Sequence, residues 1–154
     1  MTRGRKSATA SAFRGGGDDK GAGKTLAKQI IRPTGISNAP GYSHAVMKEG
    51  TPVFISGQVA QDAAGKLVGE GDIAAQVAQV FHNLRTVVSA CGGTMDDIVK
   101  INVYTTDLGY RPAIAEARMK HFRPGQMPAS TFVVVSSLAD PRMLVEIEAV
   151  AVIE

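Results

Sequence analysis

Residues 143–154 read MLVEIEAVAVIE, a β-branched and apolar segment that predicts a strand. Side chains alternate between the two faces of a strand, so this segment has one apolar face and one mixed face. The apolar face carries Val145, Ile147, Ala149, Ala151 and Ile153. The mixed face carries Leu144, Glu146, Glu148, Val150 and Val152.

The two glutamates allow two interpretations. A buried, unpaired carboxylate is costly, so such a group is solvated, paired or functional. Either the strand is an edge or solvent-facing strand with ordinary surface glutamates, or one carboxylate lies at the floor of a cleft and serves proton transfer. The periodicity of residues 143–154 alone fits both.

Length and composition predict a single domain with a hydrophobic core, since the chain has 154 residues. No apolar run approaches the roughly 20 residues of a membrane span, and the first residues contain no signal-peptide core. The single cysteine, Cys91, excludes an internal disulfide and fits a reducing compartment. We therefore expect a cytoplasmic protein with no membrane association.

The positive charge is concentrated at one end of the chain. The net charge is +3, but residues 1–28 carry +5 and residues 29–154 carry −2. Residues 1–28 are rich in glycine and poor in large apolar side chains, so we expect a disordered basic extension. Residues 29–154 form the predicted domain, which offers no basic stripe for specific nucleic-acid binding.

Periodicity and turn residues predict an α+β domain. We expect a hairpin of strands 45–47 and 51–59, followed by an amphipathic helix that Asp72 caps. The elements after the hairpin are predicted at residues 73–91 (helix), 98–105 (strand), 111–122 (helix), 130–135 (strand) and 143–154 (strand). The order ββαβαβ predicts a mixed sheet with two helices on one face. The other face lacks a cover, which predicts self-association through an exposed apolar surface.

Six motifs resemble the reactive-intermediate deaminase family, also called Rid or YjgF. They are APGYSHAV (39–46), FISGQVA (54–60), the long helix ending in CGG, DDIVKINVYTTDL (96–108), MPAST (127–131) and VEIEAVAV (145–152). The resemblance implies a fold like that of trimeric chorismate mutases, with a central sheet barrel and clefts between subunits. It also implies hydrolysis of imines and enamines of small molecules to a 2-oxo acid and ammonia, without a metal or cofactor.

The resemblance assigns several residues to the cleft. Tyr42 corresponds to the family's cleft tyrosine, and Ser56 and Gly57 correspond to its strand-end Ser–Gly pair. Glu146, the first acid of VEIEA, corresponds to the glutamate that positions the attacking water. We therefore expect Glu146 and Tyr42 to be catalytic.

Other cleft positions depart from the deaminating branch. Ser130 replaces the arginine that grips the substrate carboxylate, Phe132 replaces a cysteine and Ala115 replaces an asparagine. With Thr131, these residues are expected to bind a substrate other than a standard 2-imino acid, because a serine hydroxyl cannot neutralise a carboxylate. Arg118 is an alternative carboxylate partner, although a surface or interface salt bridge is the commoner role.

The remaining candidate residues give weaker signals. His44, His82 and His121 lack the spacing of a metal site. His44 follows Tyr42 closely enough to face the cleft, whereas the other two histidines and Cys91 are expected to pack or to lie at the surface, Cys91 as a buried thiol.

Three classes of function therefore compete. The first is a metal-independent hydrolase that deaminates an imine, an enamine or a related C–N bond. The second is a non-catalytic trimer that binds a metabolite in its clefts. The third is an endoribonuclease or translation inhibitor, which the −2 charge of the domain and its scattered histidines disfavour.

Overall fold

A computed structural model describes residues 27–37 and 40–154 of the chain. The predicted disordered extension therefore lies outside the described residues, apart from Ala27 and Lys28. The strands are β1 (Gln29–Ile31), β2 (Ala45–Met47), β3 (Thr51–Gln58), β4 (Ile98–Thr105), β5 (Ala129–Val134) and β6 (Val145–Ile153). The helices are α1 (Ile73–Ala90) and α2 (Arg111–His121).

The main sheet has four strands in the order β3-β6-β4-β5. Strand β6 runs antiparallel to β3 and β4, whereas β4 and β5 are parallel, so the predicted mixed sheet is confirmed. Because β6 lies between two neighbours, it is a central strand and not an edge strand. Its side chains Val145, Ile147 and Ala151 are fully buried, as the alternation of residues 143–154 predicts.

Both helices cover the same face of the sheet. The apolar stripe of α1 is buried at Val77, Val80, Phe81, Leu84 and Val88. The side chain of Asp72 accepts hydrogen bonds from the first turn, which confirms the predicted cap. Helix α2 packs against α1 and adds Ile114 and Ala117 to the same core. Neither helix is long and apolar enough to cross a membrane within the part of the chain that the structure describes.

The predicted hairpin of β2 and β3 is wrong. Strand β2 pairs with β1, whereas β3 pairs with β6. Strand β1 has only three residues, too few for a clear sequence signal, and the Lys48–Glu49–Gly50 segment resembles a hairpin turn. The order in the described residues is βββαβαββ. Strand β1 is new relative to the predicted elements, and the predicted order ββαβαβ also counted one strand too few, since residues 130–135 and 143–154 were both predicted as strands.

Cys91 is exposed, so its prediction as a buried thiol is also wrong. Helix α1 ends at Ala90, and Cys91 is the capping residue after it. Gly92 then takes the left-handed conformation, with φ 85°, and the chain turns away before the apolar stripe of α1 reaches Cys91.

The second sheet face is open but mixed in character, and not simply apolar. It carries Phe54, which is 80% exposed, beside half-buried polar side chains of β4 and β6. The β1–β2 ribbon contacts β4. Next to this ribbon, the Lys28 ammonium donates to the carbonyl of Ile98 (2.9 Å), and burial lowers the pKa of Lys28 to about 8.

Candidate active site

Four predicted site residues line one cavity on the helix-covered side of β5. This helix-side cavity of about 310 Å³ lies between α2, β5 and the segment 40–42. Its lining includes Tyr42, Ala115, Ser130 and Phe132. The volume is at the lower end of the range for small-molecule sites. The structure thus brings together half of the residues that the sequence predicts for the site.

Two polar atoms at this cavity are buried without a hydrogen-bond partner among the described residues: Ser130 Oγ and Arg118 Nε. Arg118 is 9% exposed, and its Nη2 donates to the carbonyl of Gly41 at 2.5 Å. Burial lowers the pKa of the Arg118 guanidinium. Unpartnered buried polar atoms are rare in native structures and often mark a functional position.

A second group of predicted residues lies on the open face of the sheet. Glu146 of β6 faces Gly57 of β3 so closely that a Cβ on Gly57 would lie 2.7 Å from Cδ of the glutamate. Ser56 is exposed next to this pair. The absence of a side chain on Gly57 therefore creates the space that the Glu146 carboxylate occupies.

Glu148, the other acid of β6, is held by two neighbours. Its Oε1 accepts from Asn102 Nδ2 at 2.5 Å and from the Tyr104 hydroxyl at 3.2 Å. Desolvation and the Glu148 charge raise the pKa of Tyr104. No such hydrogen bond holds the side chain of Glu146 within the described residues. The two carboxylates therefore differ. Hydrogen bonds orient the Glu148 side chain, whereas the Glu146 carboxylate has no hydrogen-bond partner among the described residues.

The two groups lie on opposite faces of the sheet. Ser130 and Phe132 are in register with Ile101 and Val103, whose side chains are fully buried under the helices. Glu146 is in register with Tyr104 on the open face, and Thr131, in register with Asn102, belongs to that face too. Residues in register on neighbouring strands point to the same side of a sheet. One subunit therefore presents two groups of predicted site residues that do not meet within it.

The histidines lie in different surroundings. His44 makes an edge contact with Tyr42, at 5.5 Å between ring centroids, and its Nε2 donates to the carbonyl of Ser37 at 2.8 Å. His121 stacks on Phe81 at 4.5 Å, and His82 is exposed. Only His44 therefore lies beside a predicted site residue, and no cluster in residues 27–37 and 40–154 is arranged to hold a metal ion.

The fold and the site together define a small α+β protein with a polar site divided between two faces of a mixed sheet. The family model described as "Endoribonuclease L-PSP" matches residues 34–153. The chain therefore belongs to this family, the Rid or YjgF family. It is 36% identical over 129 residues to a Dermatophagoides farinae protein named 2-iminobutanoate/2-iminopropanoate deaminase, covering 84% of this chain and 92% of that protein.

Solved structures of relatives have the same fold. The Rid-family protein YyfB of Yersinia pestis, a protein of unknown function, matches with a TM-score of 0.75 and 35% identity over 83% of this chain and all of that one. RidA of an Antarctic Psychrobacter matches with a TM-score of 0.62 and 35% identity over 81% of this chain and 99% of that one. A family member named as a deaminase supports a deaminase-type role for this chain.

Arg118 differs in part from its prediction. The surface salt bridge is wrong, because Arg118 is buried and makes no ion pair with a described residue, whereas the interface salt bridge stays a prediction. The signal was its position four residues after Ile114, on the buried side of α2. An arginine on an apolar helix stripe indicates a buried charge that needs a partner.

Proposed function

We propose that this protein is a hydrolase that cleaves the C–N bond of a small imine or enamine and releases ammonia. The observation that carries this proposal is the contrast between the two acids of β6. Glu148 is held by Asn102 and Tyr104, whereas Glu146 faces a glycine and keeps its carboxylate available for a water molecule. A free carboxylate of this kind can act as a general base.

The reaction needs one water molecule and no redox step. Glu146 takes a proton from water, whose oxygen bonds to the carbon of the C=N group, giving a carbinolamine. The first proton passes to the nitrogen to complete the carbinolamine. Its hydroxyl proton then also passes to the nitrogen, the C–N bond breaks, and ammonia and a carbonyl compound leave. The Tyr42 hydroxyl at the helix-side cavity is the proposed hydrogen-bond donor to the substrate. An enamine enters the same sequence after protonation at carbon.

The active form is proposed to be a homotrimer with sites between subunits, working in the cytoplasm. Ser56, Gly57 and Glu146 of one subunit would complete the cavity that Tyr42, Ser130 and Phe132 line on the next. The separation of the half-sites onto opposite sheet faces supports this arrangement, since neither half alone holds both a base and a pocket. The open face of the sheet supplies a surface for the contact.

Standard 2-imino acids are proposed to be poor substrates. Ser130 occupies the position that corresponds to the anchoring arginine of the deaminating branch, and a hydroxyl cannot form the bidentate ion pair that a guanidinium offers. Phe132 and Ala115 also make this wall of the cavity less polar than the cysteine and asparagine that they replace would. The preferred substrate therefore presents a different group to Ser130.

The proposal is tested by measuring ammonia release from a panel of imines and enamines. The panel includes 2-iminobutanoate and 2-iminopropanoate, generated in place by an amino-acid oxidase, together with neutral enamines. On the best substrate, Glu146→Gln should lower turnover by about 10²–10⁴-fold, the usual contribution of a general base. Glu148→Gln is the matched control, and its loss should stay below about tenfold.

Two results would contradict the proposal. Equal losses in both glutamine variants would remove the special role of Glu146. A failure of the unmodified protein to release ammonia from any class, together with saturable binding of the same compounds, would favour the metabolite-binding trimer instead. Cleavage of RNA that survives Glu146→Gln would point to the endoribonuclease class.

A further inference from the structure

A row of amide side chains on α1 contacts the segments that join the two strands carrying Glu146 and Gly57. The row consists of Gln76, Gln79 and Asn83, which are three and four residues apart and therefore share one side of the helix. Gln76 is fully buried, although most glutamines lie at the surface of a protein. Burial of an amide is costly unless its polar atoms are hydrogen-bonded, so its partners indicate what it does.

Gln76 binds the segment that leads into β6. Its Nε2 donates to the carbonyl of Arg142 at 2.8 Å and to that of Gly69 at 3.1 Å. Its Oε1 accepts from the backbone N–H of Leu144 at 2.8 Å. The side chain thus uses both of its N–H groups and its oxygen on backbone groups. Leu144 lies two residues before Glu146, so one of these bonds acts next to the proposed base.

The same residue, Leu144, is also held by β4. Its carbonyl accepts from Thr105 Oγ1 at 2.8 Å, and Thr105 is fully buried at the end of β4. Both polar backbone groups of Leu144 are therefore bonded to buried side chains. A catalytic side chain needs a support that holds it to within about 0.5 Å, and hydrogen bonds of this kind supply one.

Asn83 binds the segment that follows β3. Its Nδ2 donates to the carbonyls of Val59 (3.0 Å) and Gln61 (2.9 Å). Its Oδ1 accepts from Gln79 Nε2 at 2.9 Å, which orients the asparagine amide. Val59 lies two residues after Gly57. Helix α1 is therefore bonded to both strands within two residues of the contact between the glutamate and the glycine.

The pairing of β3 with β6 is irregular at this contact. Ile55 is in register with Ala149, but the next pair is Gln58 with Ile147. Residues 56–57 of β3 thus lie opposite one residue of β6, which is a β-bulge. A bulge disrupts the hydrogen-bond ladder locally, so the sheet alone fixes the position of the proposed base less firmly than a regular ladder would. The bonds from α1 lie on either side of this weak point.

We propose that Gln76 and Asn83 are positioning residues for Glu146, and that the amides of α1 set the distance between Glu146 and Gly57 across the bulge. This inference rests on the proposed function, because it concerns the base of that reaction. Neither amide lines the helix-side cavity, so their effect falls on the chemical step and not on substrate binding. A purely structural role would instead make their removal lower stability without any effect specific to Glu146.

Ammonia release by the full-length protein, on the best substrate of the panel, tests the inference with Gln76→Met. Methionine keeps the length of the side chain but lacks the amide donors. The entry to β6 then loses its anchor, so kcat should fall by at least about tenfold while KM changes by less than about threefold. Val80→Ala is the matched control, since Val80 is fully buried on the same helix and its truncation lowers stability without removing a hydrogen bond. Its kcat should stay within about twofold of the unmodified protein.

A double-variant cycle separates positioning from stability. In the Glu146→Gln background there is no base left to position, so Gln76→Met should lower turnover by less than about threefold further. Asn83→Ala should give the same pattern with a smaller loss, and it decides the question if Gln76→Met fails to fold. An equal fractional loss with and without Glu146 would overturn the inference, as would an equal loss in Val80→Ala at a matched melting temperature.

Crystal structures of Gln76→Met and Val80→Ala test the same inference without turnover, with Asn83→Ala again as the second variant. The carboxylate of Glu146 should move relative to Gly57 by about 1 Å in the amide variant and stay in place in Val80→Ala. An unmoved carboxylate in the amide variant would overturn the inference. A moved carboxylate, in a protein whose unmodified form releases no ammonia, would sink the proposed function and leave the positioning by α1 standing.

Discussion

Glu146 and Glu148 lie two residues apart on one face of one strand, yet their surroundings differ. Two donors, Asn102 and Tyr104, orient the Glu148 carboxylate. Gly57 lies opposite Glu146, and a glycine leaves more room for the glutamate side chain than any other residue type would. The difference in surroundings arises from the neighbouring strands, β4 for Glu148 and β3 for Glu146.

Gly57→Ala should displace Glu146 without changing any charge. The added Cβ would lie 2.7 Å from the glutamate Cδ, so the carboxylate must rotate away. We expect turnover to fall by about 10²-fold, as for other misplacements of about 1 Å. The stability cost should be about 1–3 kcal/mol.

Ammonia release and thermal unfolding measure the two effects of Gly57→Ala. Gly109→Ala is the control, because it too lacks a positive φ and its added Cβ would meet only Asp107 Oδ1, at 3.2 Å. Full activity in Gly57→Ala would show that Glu146 has room to move and that Gly57 does not set its position.

At the scale of single residues, the sequence predicts what is local and misses what depends on distant contacts. Alternation along β6 places Glu146 and Glu148 on the open face correctly, because strand periodicity is a local property. The burial of Arg118 depends on packing against the segment of Gly41, 77 residues earlier in the chain. The orphaned hydroxyl of Ser130 likewise depends on how α2 covers β5. No local pattern contains this information.

At the scale of elements, strong local signals give accurate bounds. Helix α1 has an apolar stripe and a capping aspartate, and its predicted bounds differ from Ile73–Ala90 by one residue at the end. Strand β4 agrees with its prediction at both ends. The pairing of β2 was missed because its partner β1 is three residues long and lies fourteen or more residues earlier. Which strands pair with each other is decided by tertiary contacts, and turn residues indicate it only weakly.

The N-terminal cap of α1 gives a prediction about the stability of the protein. Asp72 accepts hydrogen bonds from the backbone N–H groups of Ala74 (2.9 Å) and Ala75 (3.1 Å). Asp72→Ala leaves these donors unsatisfied and should lower the free energy of unfolding by about 1 kcal/mol. Asp72→Ser keeps a capping oxygen and should recover most of this loss.

Urea unfolding at matched protein concentration is the measurement, since association would make stability depend on concentration. If Asp72→Ala and the unmodified protein unfold at the same urea concentration, the cap contributes nothing to the start of α1.

For the whole molecule, two features of the isolated subunit favour the proposed trimer. Its open sheet face exposes Phe54 by 80%, a large apolar side chain that a partner would cover. Its half-sites lie on opposite faces of the sheet, so no single subunit joins Glu146 to the helix-side cavity. A homotrimer would cover the open face and would bring Glu146 of one subunit to the helix-side cavity of the next. Light scattering should therefore give a mass of about three times the 16.1 kDa subunit.

Mixing two inactive variants tests whether the half-sites come from different subunits. Glu146→Gln disables the open-face half, and Ala115→Trp should fill the helix-side cavity from an exposed position on α2. Each variant alone should be inactive while still forming trimers. When the two are expressed together and purified through a different tag on each, only mixed trimers remain. One of the three clefts in each mixed trimer receives an intact half from both neighbours, so about a third of the normal activity should return. If both halves of a cleft belonged to one subunit, every cleft would keep a defect and mixing would restore nothing.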